Sequence, residues 1–375
     1  MCDSDFLKKQ IITYMGNKRK LLHHIENVLI EIQESMPDKG LVLGDGFSGS
    51  GVVSRLFKKH GVCVYSNDIA GYSKTLGECF LSNVSKKDAE KIEKYVSLAN
   101  KYVDSKEDVG PHFVRVHWAP ASSSSVKKGE RAYFTHENGV RIDKYCYYIR
   151  EKVPEKYQCY LKAILLVECS IKNNTNGQFS AYYKKGDVGH FGGKNETDLH
   201  RIMKPIVLVP PVLCTNSCSS VVDSLDIFEW INLMNQRETK MDVVYYDPPY
   251  NKHPYNIYYF LLDIIDAFDV SIDVPDTLRG QPKNWVRSPF NSSVNAKDAF
   301  SRMIHDTQSK YILVSYNNDG LVSLQDMENI LKKKGKVSCV DIEHKTYNRL
   351  KGLASYKREG ENKKIKEVLW VVECN

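Results

Sequence analysis

Apolar positions in residues 21–32 fall at Leu21, Leu22, Ile25, Val28, Leu29 and Ile32. That 3.6-residue spacing predicts an amphipathic helix. Pro37-Asp38-Lys39-Gly40 breaks the chain, and Leu41-Val42-Leu43 reads as a short buried strand. The strand runs into a glycine turn, Gly44-Asp45-Gly46-Phe47-Ser48-Gly49-Ser50-Gly51. A second helix follows, with Val52, Val53, Leu56 and Phe57 apolar. Lys58-Lys59-His60 occupy its last turn, where cations suit the helix dipole, and Gly61 is the stop. Val62-Cys63-Val64-Tyr65 is a second strand, ending at Asn67-Asp68. Strand, glycine turn, helix, strand and acid in that order form a parallel α/β unit, because parallel strands need a crossover between them.

From about residue 86 to 215 this alternation fails, and the chain is rich in Lys, Tyr and Ser. Ser122 to Ser125 read as a loop and Asn176-Gly177 as a hairpin turn. Strand–helix order resumes near 220. Asp242-Val243-Val244-Tyr245-Tyr246 is a strand that ends in Asp247-Pro248-Pro249-Tyr250. Residues 255–268 are helical in pattern, 271–297 form a polar loop, and Tyr311 to Tyr316 is another strand. Residues 323–334 place Leu324, Met327, Ile330 and Leu331 on one face, with Gly335 as the expected C-cap. Strands at 337–342 and 367–373 flank a basic loop. The expected division is a catalytic part at 1–85, an inserted domain at 86–215, and the rest of the catalytic part at 216–375.

Composition narrows the class. The chain has 375 residues, 42% hydrophobic and 26% charged, the ordinary globular range. Its longest apolar runs, such as Ile164 to Val167, are far short of a membrane span. The opening MCDSDFLKKQ puts no basic region ahead of an apolar one, so no signal peptide is expected. Ten scattered cysteines with no C-x-x-C pair predict reduced cytosolic thiols. The net charge is +7, and its distribution is uneven. Residues 1–85 hold 10 basic and 9 acidic side chains, 86–215 hold 22 and 15, and 216–375 hold 21 and 22. A basic middle segment inside a nearly neutral chain points to a polyanionic partner.

Two motifs carry chemistry. Gly44-x-Gly46-x-x-Gly49, with Asp68 19 residues beyond, matches the dinucleotide fingerprint. A nicotinamide site and an adenosylmethionine site both need a tight glycine turn and an acid for the ribose. At Asp247-Pro248-Pro249-Tyr250, two prolines stiffen the turn and remove two backbone donors, leaving carbonyls as acceptors. Asp247 and the Pro248 carbonyl can then accept both hydrogens of an exocyclic amine, with the Tyr250 ring stacked on the base. No cysteine nucleophile and no metal is called for.

With both motifs in hand, the chain resembles the Dam-type, alpha-group adenine-N6 DNA methyltransferases. Tyr14-Met15-Gly16-Asn17-Lys18 is similar to that family's N-terminal cofactor-touching motif. Asp45-x-Phe47-x-Gly49-x-Gly51 looks like its cofactor loop, and Asn67-Asp68 like its ribose acid. Asp247 to Tyr250 looks like the catalytic motif. Asn174-Thr175-Asn176-Gly177, then Tyr182-Tyr183, Gly186 and Phe191-Gly192, is a looser match to a hairpin before the recognition segment. Asp223 stands where the family has an acid near the cofactor adenine. Gly46 replaces a common proline and Tyr14 a common tryptophan.

The resemblance implies a Rossmann-like α/β sheet dependent on S-adenosylmethionine, with an inserted DNA-recognition domain. Tyr14, Lys18, Asp45, Phe47, Gly49, Gly51, Asp68, Asp223 and Asp247 are the expected cofactor residues. Asp247, Pro248, Pro249 and Tyr250 are the expected catalytic ones. It further implies a flipped adenine in duplex DNA, a cytoplasmic monomer acting at the nucleoid, and a cognate restriction endonuclease as candidate partner. Lys184, Lys185, Arg279, Lys283 and Arg287 are candidate phosphate contacts. Cytosine-N4, RNA or protein-amide methylation and nicotinamide redox chemistry remain alternatives at this point.

Overall fold

The computed structural model describes residues 4–108, 110–283, 287–344 and 365–375. Its first part contains α1 (Ser4–Lys8), α2 (Leu22–Ser35), β1 (Val42–Asp45), α3 (Val52–His60), β2 (Cys63–Asn67) and α4 (Gly71–Phe80). Then come α5 (Lys86–Asp104), α6 (Val114–His117), α7 (His136–Lys152) and α8 (Glu155–Lys172). A short ribbon, β3 (Lys184–Lys185) and β4 (Val188–Gly189), precedes α9 (Leu199–Met203). The last part holds β5 (Ser219–Asp223), α10 (Ile227–Gln236), β6 (Met241–Tyr246), α11 (Asn256–Ala267) and α12 (Ala296–Asp306). It closes with β7 (Ser309–Asn317), α13 (Leu324–Lys332), β8 (Gly335–His344) and β9 (Ile365–Cys374).

Seven strands form one mixed sheet in the order β5-β2-β1-β6-β7-β9-β8. The five strands from β5 to β7 are parallel, and β9 runs antiparallel between β7 and β8. Alternate residues feed two cores. Leu43, Val243, Tyr245 and Leu313 pack with Ile25 of α2 and Phe57 of α3. Val42, Val244, Tyr246 and Ile312 pack with Trp230 of α10, Met303 of α12 and Met327 of α13. A sheet covered on both faces explains why β1 and β6 are buried at every position.

The 86–215 segment is mostly helical. Ile92, Trp118, Tyr145 and Leu161 share one apolar core with Tyr72 of α4 and Tyr259 of α11. Its helices therefore rest on helices of the sheet layer through a continuous core. Ser85 and Thr135 cap α5 and α7 by accepting from the Asp88 and Asn138 amides.

Four local expectations change. Asn176-Gly177 is not the hairpin turn. Gly177 takes φ +83° in a bend where an added Cβ would lie 2.7 Å from Thr13, while the ribbon β3–β4 turns at Gly186-Asp187. Gly335 is not the C-cap, which is Lys333. Gly335 opens β8, where an added Cβ would stand 1.9 Å from the Glu373 carbonyl oxygen. The polar loop 271–297 contains a 3-10 turn at Pro289–Asn291 and the first turn of α12. Cys214 is disulfide-bonded rather than reduced, whereas the other cysteines among the described residues are free. The expected basic loop falls at 345–364, outside the described residues.

The close approach at Gly335 makes a stability prediction. Gly335→Ala forces β8 away from β9 and costs about 1–3 kcal/mol, the usual size of an overpacking change. The urea midpoint of the variant measures this, and an unmoved midpoint contradicts the β8–β9 register.

Candidate active site

Acidic residues end three adjacent strands of the sheet. Asp45 closes β1, while Asp68 and Asp247 follow β2 and β6, the two neighbours of β1. From β1 the chain order runs outward to β2 on one side, and β6 lies on the other. The carboxyl ends of strands at such a reversal leave a crevice in open α/β sheets.

The turn after β1 forms one wall. The Gly46 amide donates to the Tyr245 carbonyl at 3.0 Å, and the Ser48 amide to the Asn67 carbonyl at 2.9 Å. Gly49 (φ +48°) and Gly51 (φ +75°) take the left-handed conformation that side chains resist. At Gly49 an added Cβ would also meet the Tyr14 ring at 2.9 Å. Tyr14 therefore lies directly on the glycine turn. Its other neighbours are Tyr259 (ring centroids 4.6 Å) and Tyr255 (5.4 Å), both stacked on it.

A cavity of 270 Å³ opens here. Tyr14, Phe47, Asp68, Asp247 and Pro249 line it, together with Asp226, Tyr255, Asp263 and Arg287. Asp68 is held by two loops: Oδ2 accepts from the Gly49 amide of the glycine turn at 2.8 Å and Oδ1 from the Ala70 amide of its own loop at 2.9 Å. Burial raises its carboxyl above the usual range, with those two amides acting against the rise. Asp45 lies beneath the turn. Its Oδ2 accepts from Ser54 Oγ at 2.5 Å, while Oδ1 is buried without a hydrogen-bond partner among the described residues. Burial pushes the Asp45 carboxyl up to about 7, with Ser54 opposing and the negative charges of Asp247 and Asp68 adding to the rise.

At the other end Asp247 meets a charged network. Lys18, only 5% exposed, sits in a 3-10 turn whose N-cap is the Asn17 side chain. Its Nζ lies 3.2 Å from Asp247 Oδ1 and 2.6 Å from Glu367 Oε1. It also donates to the Tyr250 hydroxyl, which in turn donates to Asp247 Oδ1. Ser315 Oγ donates to the same Oδ1 at 3.3 Å. Burial works against the Lys18 ammonium, but Asp247 and Glu367 outweigh it and hold the group well above the ordinary lysine value. Burial raises Asp247 despite Lys18 and Tyr250. The Tyr250 ring packs edge-on to Tyr316 at 4.8 Å, and the Tyr250 carbonyl accepts from the Leu321 amide at 2.9 Å. The loop bearing Asp247 is thus pinned to the end of β7.

The structure brings most of the expected residues together. Tyr14, Phe47, Asp68, Asp247 and Pro249 share the cavity, and Gly49 and Gly51 shape the turn. Lys18 and Tyr250 stand at the Asp247 end, bonded to one another and to Asp247, and are not among the lining residues. Asp223, at the end of β5, does not line the cavity either. Asp226 does, while capping α10 through the Phe228 amide at 2.9 Å. An Asp just before an apolar helical run is a readable cap, so Asp226 had a local signal; Glu367, Asp263 and Tyr255 had none. Arg287, expected on phosphate, lines this cavity. Lys184 and Lys185 line a separate 760 Å³ groove with Tyr182, Tyr183 and Lys194.

The glycine turn, Asp68 and the Asp247-Pro248-Pro249-Tyr250 loop meet at one end of the α/β sheet, the arrangement expected of an amine methyltransferase. Residues 14–205 match the model of the D12 class N6 adenine-specific DNA methyltransferases, and the chain belongs to that family. It is an adenine-specific DNA methyltransferase, so the cytosine-N4 and nicotinamide readings fall away. Among relatives, Type II methyltransferase M.NlaIII of Neisseria lactamica is 27% identical over 90% of this chain and 92% of its own length. Type II methyltransferase M.CviAII of Paramecium bursaria Chlorella virus 1 is 27% identical, again over 90% and 92%. Modification methylase StsI of Streptococcus sanguinis is 26% identical over 96% of this chain, which spans only 51% of that protein.

Buried Asp45 makes a pH prediction. Its folded-state pKa is raised, so between the unfolded carboxylate pKa, about 4, and its own value the unfolded chain releases a proton that the folded protein keeps. Stability from this group is complete below pH ~4 and is lost as pH rises toward 7. Asp45→Asn flattens that decline by on the order of 1–2 kcal/mol. Thermal melts across pH 4–8 check it. Asp263, pushed to about 7, and Asp143, pushed to about 6, both by burial, contribute to the slope that remains.

Proposed function

We propose that the cavity between the glycine turn and Asp247 holds S-adenosylmethionine beside an adenine flipped out of duplex DNA. The observation that carries this reading is that one cavity joins Phe47 and Asp68 of the cofactor side to Asp247 of the catalytic side. The chemistry of the lining fits the cofactor: Asp68 for ribose hydroxyls, apolar Phe47 and Ile227 for a purine, and several acids for a cation. The partnerless Oδ1 of Asp45 and the left-handed Gly49 and Gly51 add an acceptor and a close backbone approach. Tyr14 lines the same cavity, whereas Lys18 and Asp223, expected in the cofactor set, stand outside its lining. When bound, the cofactor supplies a methyl group on a positively charged sulfur.

The protein's own part is positioning. Asp247 and the Pro248 carbonyl accept the two amine hydrogens, turning the nitrogen lone pair out of the base plane. As positive charge develops on that nitrogen, the Asp247 carboxylate stabilises it in a site from which water is excluded. Pro249 keeps the loop extended, and Tyr250 stacks on the base. For the amine to take Asp247 fully, the Tyr250 hydroxyl bond to Asp247 gives way. No metal enters this scheme.

The DNA is held by 86–215, read as the recognition domain between the catalytic parts 1–85 and 216–375. The groove at Lys184 and Lys185 interleaves cations with Tyr182 and Tyr183, and the cation of Lys184 lies 5.1 Å from the Tyr182 ring. Such a surface suits phosphates and unstacked bases. Arg279 and Lys283 are further phosphate candidates. The relatives named as Type II methyltransferases and modification methylases favour a restriction–modification setting. A cognate endonuclease partner and a monomeric, cytoplasmic enzyme belong to the same proposal. No helix among the described residues is long and apolar enough to cross a membrane.

Removal of Asp247 tests the site. Asp247→Ala lowers kcat by about 10²–10³, the loss seen when one transition-state partner is removed, with DNA affinity kept. Methyl transfer from labelled adenosylmethionine measures it; full activity discards Asp247 as the acceptor. For the DNA surface, neutralising Lys184 and Lys185 together weakens binding on every sequence and flattens the salt slope by about one to two units. A slope that stays steep moves the DNA to another face.

A further inference from the structure

One half-buried acid at the catalytic end has no part in the reading above. Glu367 enters on β9, paired with Asn317 of β7 and Ile342 of β8. Its side chain is 14% exposed, and its Oε1 lies 2.6 Å from Lys18 Nζ, 349 positions away in sequence. The same ammonium is 3.2 Å from Asp247 Oδ1. Two carboxylates therefore share one lysine, and the nearer is not the catalytic one.

The arithmetic of charge gives this arrangement its meaning. Lys18 and Asp247 alone form a neutral pair, and a neutral pair closes to the 2.7–2.9 Å typical of charge-assisted bonds. An Asp247 so engaged is a weakened acceptor for an incoming amine and gains little as that amine turns cationic. With Glu367 present the ammonium leans toward β9, and the three groups keep one net negative charge beside the reacting nitrogen. A buried charge of this kind acts strongly because little water screens it. We propose that Glu367 is a positioning residue for methyl transfer: it draws Lys18 off Asp247 and so leaves Asp247 a full carboxylate for the target amine. This rests on the reading of Asp247 as the amine acceptor.

Among the described residues, the titratable groups around Asp247 are Lys18, Glu367, Tyr245, Tyr250, Tyr255 and Asp45. Of these, Glu367 pushes the Asp247 carboxyl up and Lys18 pulls it down. Loss of the Glu367 charge therefore moves the acid limb of kcat, set by Asp247, to lower pH.

The test uses Glu367→Gln and Glu367→Asp in the full chain, assayed with duplex DNA and labelled adenosylmethionine. Glu367→Gln is expected to lower kcat by roughly tenfold to a hundredfold, with both KM values within about twofold of the parent. Its acid limb shifts downward. Glu367→Asp, which keeps the charge, recovers much of kcat and returns the limb toward its original place. In a Lys18→Met background the Glu367→Gln change is expected to have little further effect, because the residue acts through Lys18. Unchanged kcat with an unmoved acid limb overturns the proposal. So does a loss of kcat that Glu367→Asp does not restore, or one that follows only a fallen melting temperature. Asp247→Asn separates the two readings. If that variant is inactive while Glu367→Gln is fully active, only the Glu367 role fails; if Asp247→Asn is active, the acceptor reading fails.

Discussion

A carboxylate moved out of water loses several kcal/mol of hydration unless a cation or several N–H groups receive it. The carboxyl edge of this sheet is organised around that penalty. Asp68 is received by two backbone amides of neighbouring loops, at 2.8 and 2.9 Å. Asp247 is received by Lys18, Tyr250 and Ser315. Asp45 is received by Ser54 on one oxygen, and burial pushes its carboxyl up to about 7 against that bond. A site left under-satisfied on this scale is prepared for a cation or a donor-rich group, which is what a methyl-transfer site has to accommodate.

The fold supplies the geometry for this at little expense to stability. Parallel strands β1, β2 and β6 end at the same level, so residues just past their ends converge without any long loop. Both faces of the sheet are covered, so the strands are fixed and their ends inherit that rigidity. The helices of 86–215 continue the core of α4 and α11, and α11 carries Asn256 and Asp263 to the cavity. The helical segment and the catalytic part are thus joined through the core that α5, α7 and α8 share with α4 and α11.

What the sequence revealed was what depends on neighbours in the chain. β1, its glycine turn, α3 and β2 were readable because alternation, glycines and a basic last helical turn lie within 25 residues or so. Asp247 to Tyr250 was readable because two prolines constrain their own backbone. Glu367 was not: a glutamate in a strand carries no mark of a lysine 349 positions earlier. Asn176-Gly177 misled because Gly177 uses its positive φ to pass Thr13 rather than to reverse a ribbon. Gly335 misled for the opposite reason, since a glycine after a helix looks like a cap although here it admits a neighbouring strand. Asp226 and Asp223 differ by three positions, and only the turn after β5 decides which of them faces the cavity.

The contact between Tyr14 and Gly49 bears on how such a site drifts under mutation. Two separate forces keep position 49 a glycine: the ring of Tyr14 at 2.9 Å and a φ of +48°. A smaller side chain at 14 removes the first and leaves the second. Position 14, by contrast, has no backbone constraint of this kind, and its stack with Tyr255 and Tyr259 is one that another flat ring satisfies. Exchange is therefore one-sided. A change of ring at 14 leaves the φ of +48° at 49 untouched, so the glycine is fixed by its own backbone whatever stands at 14.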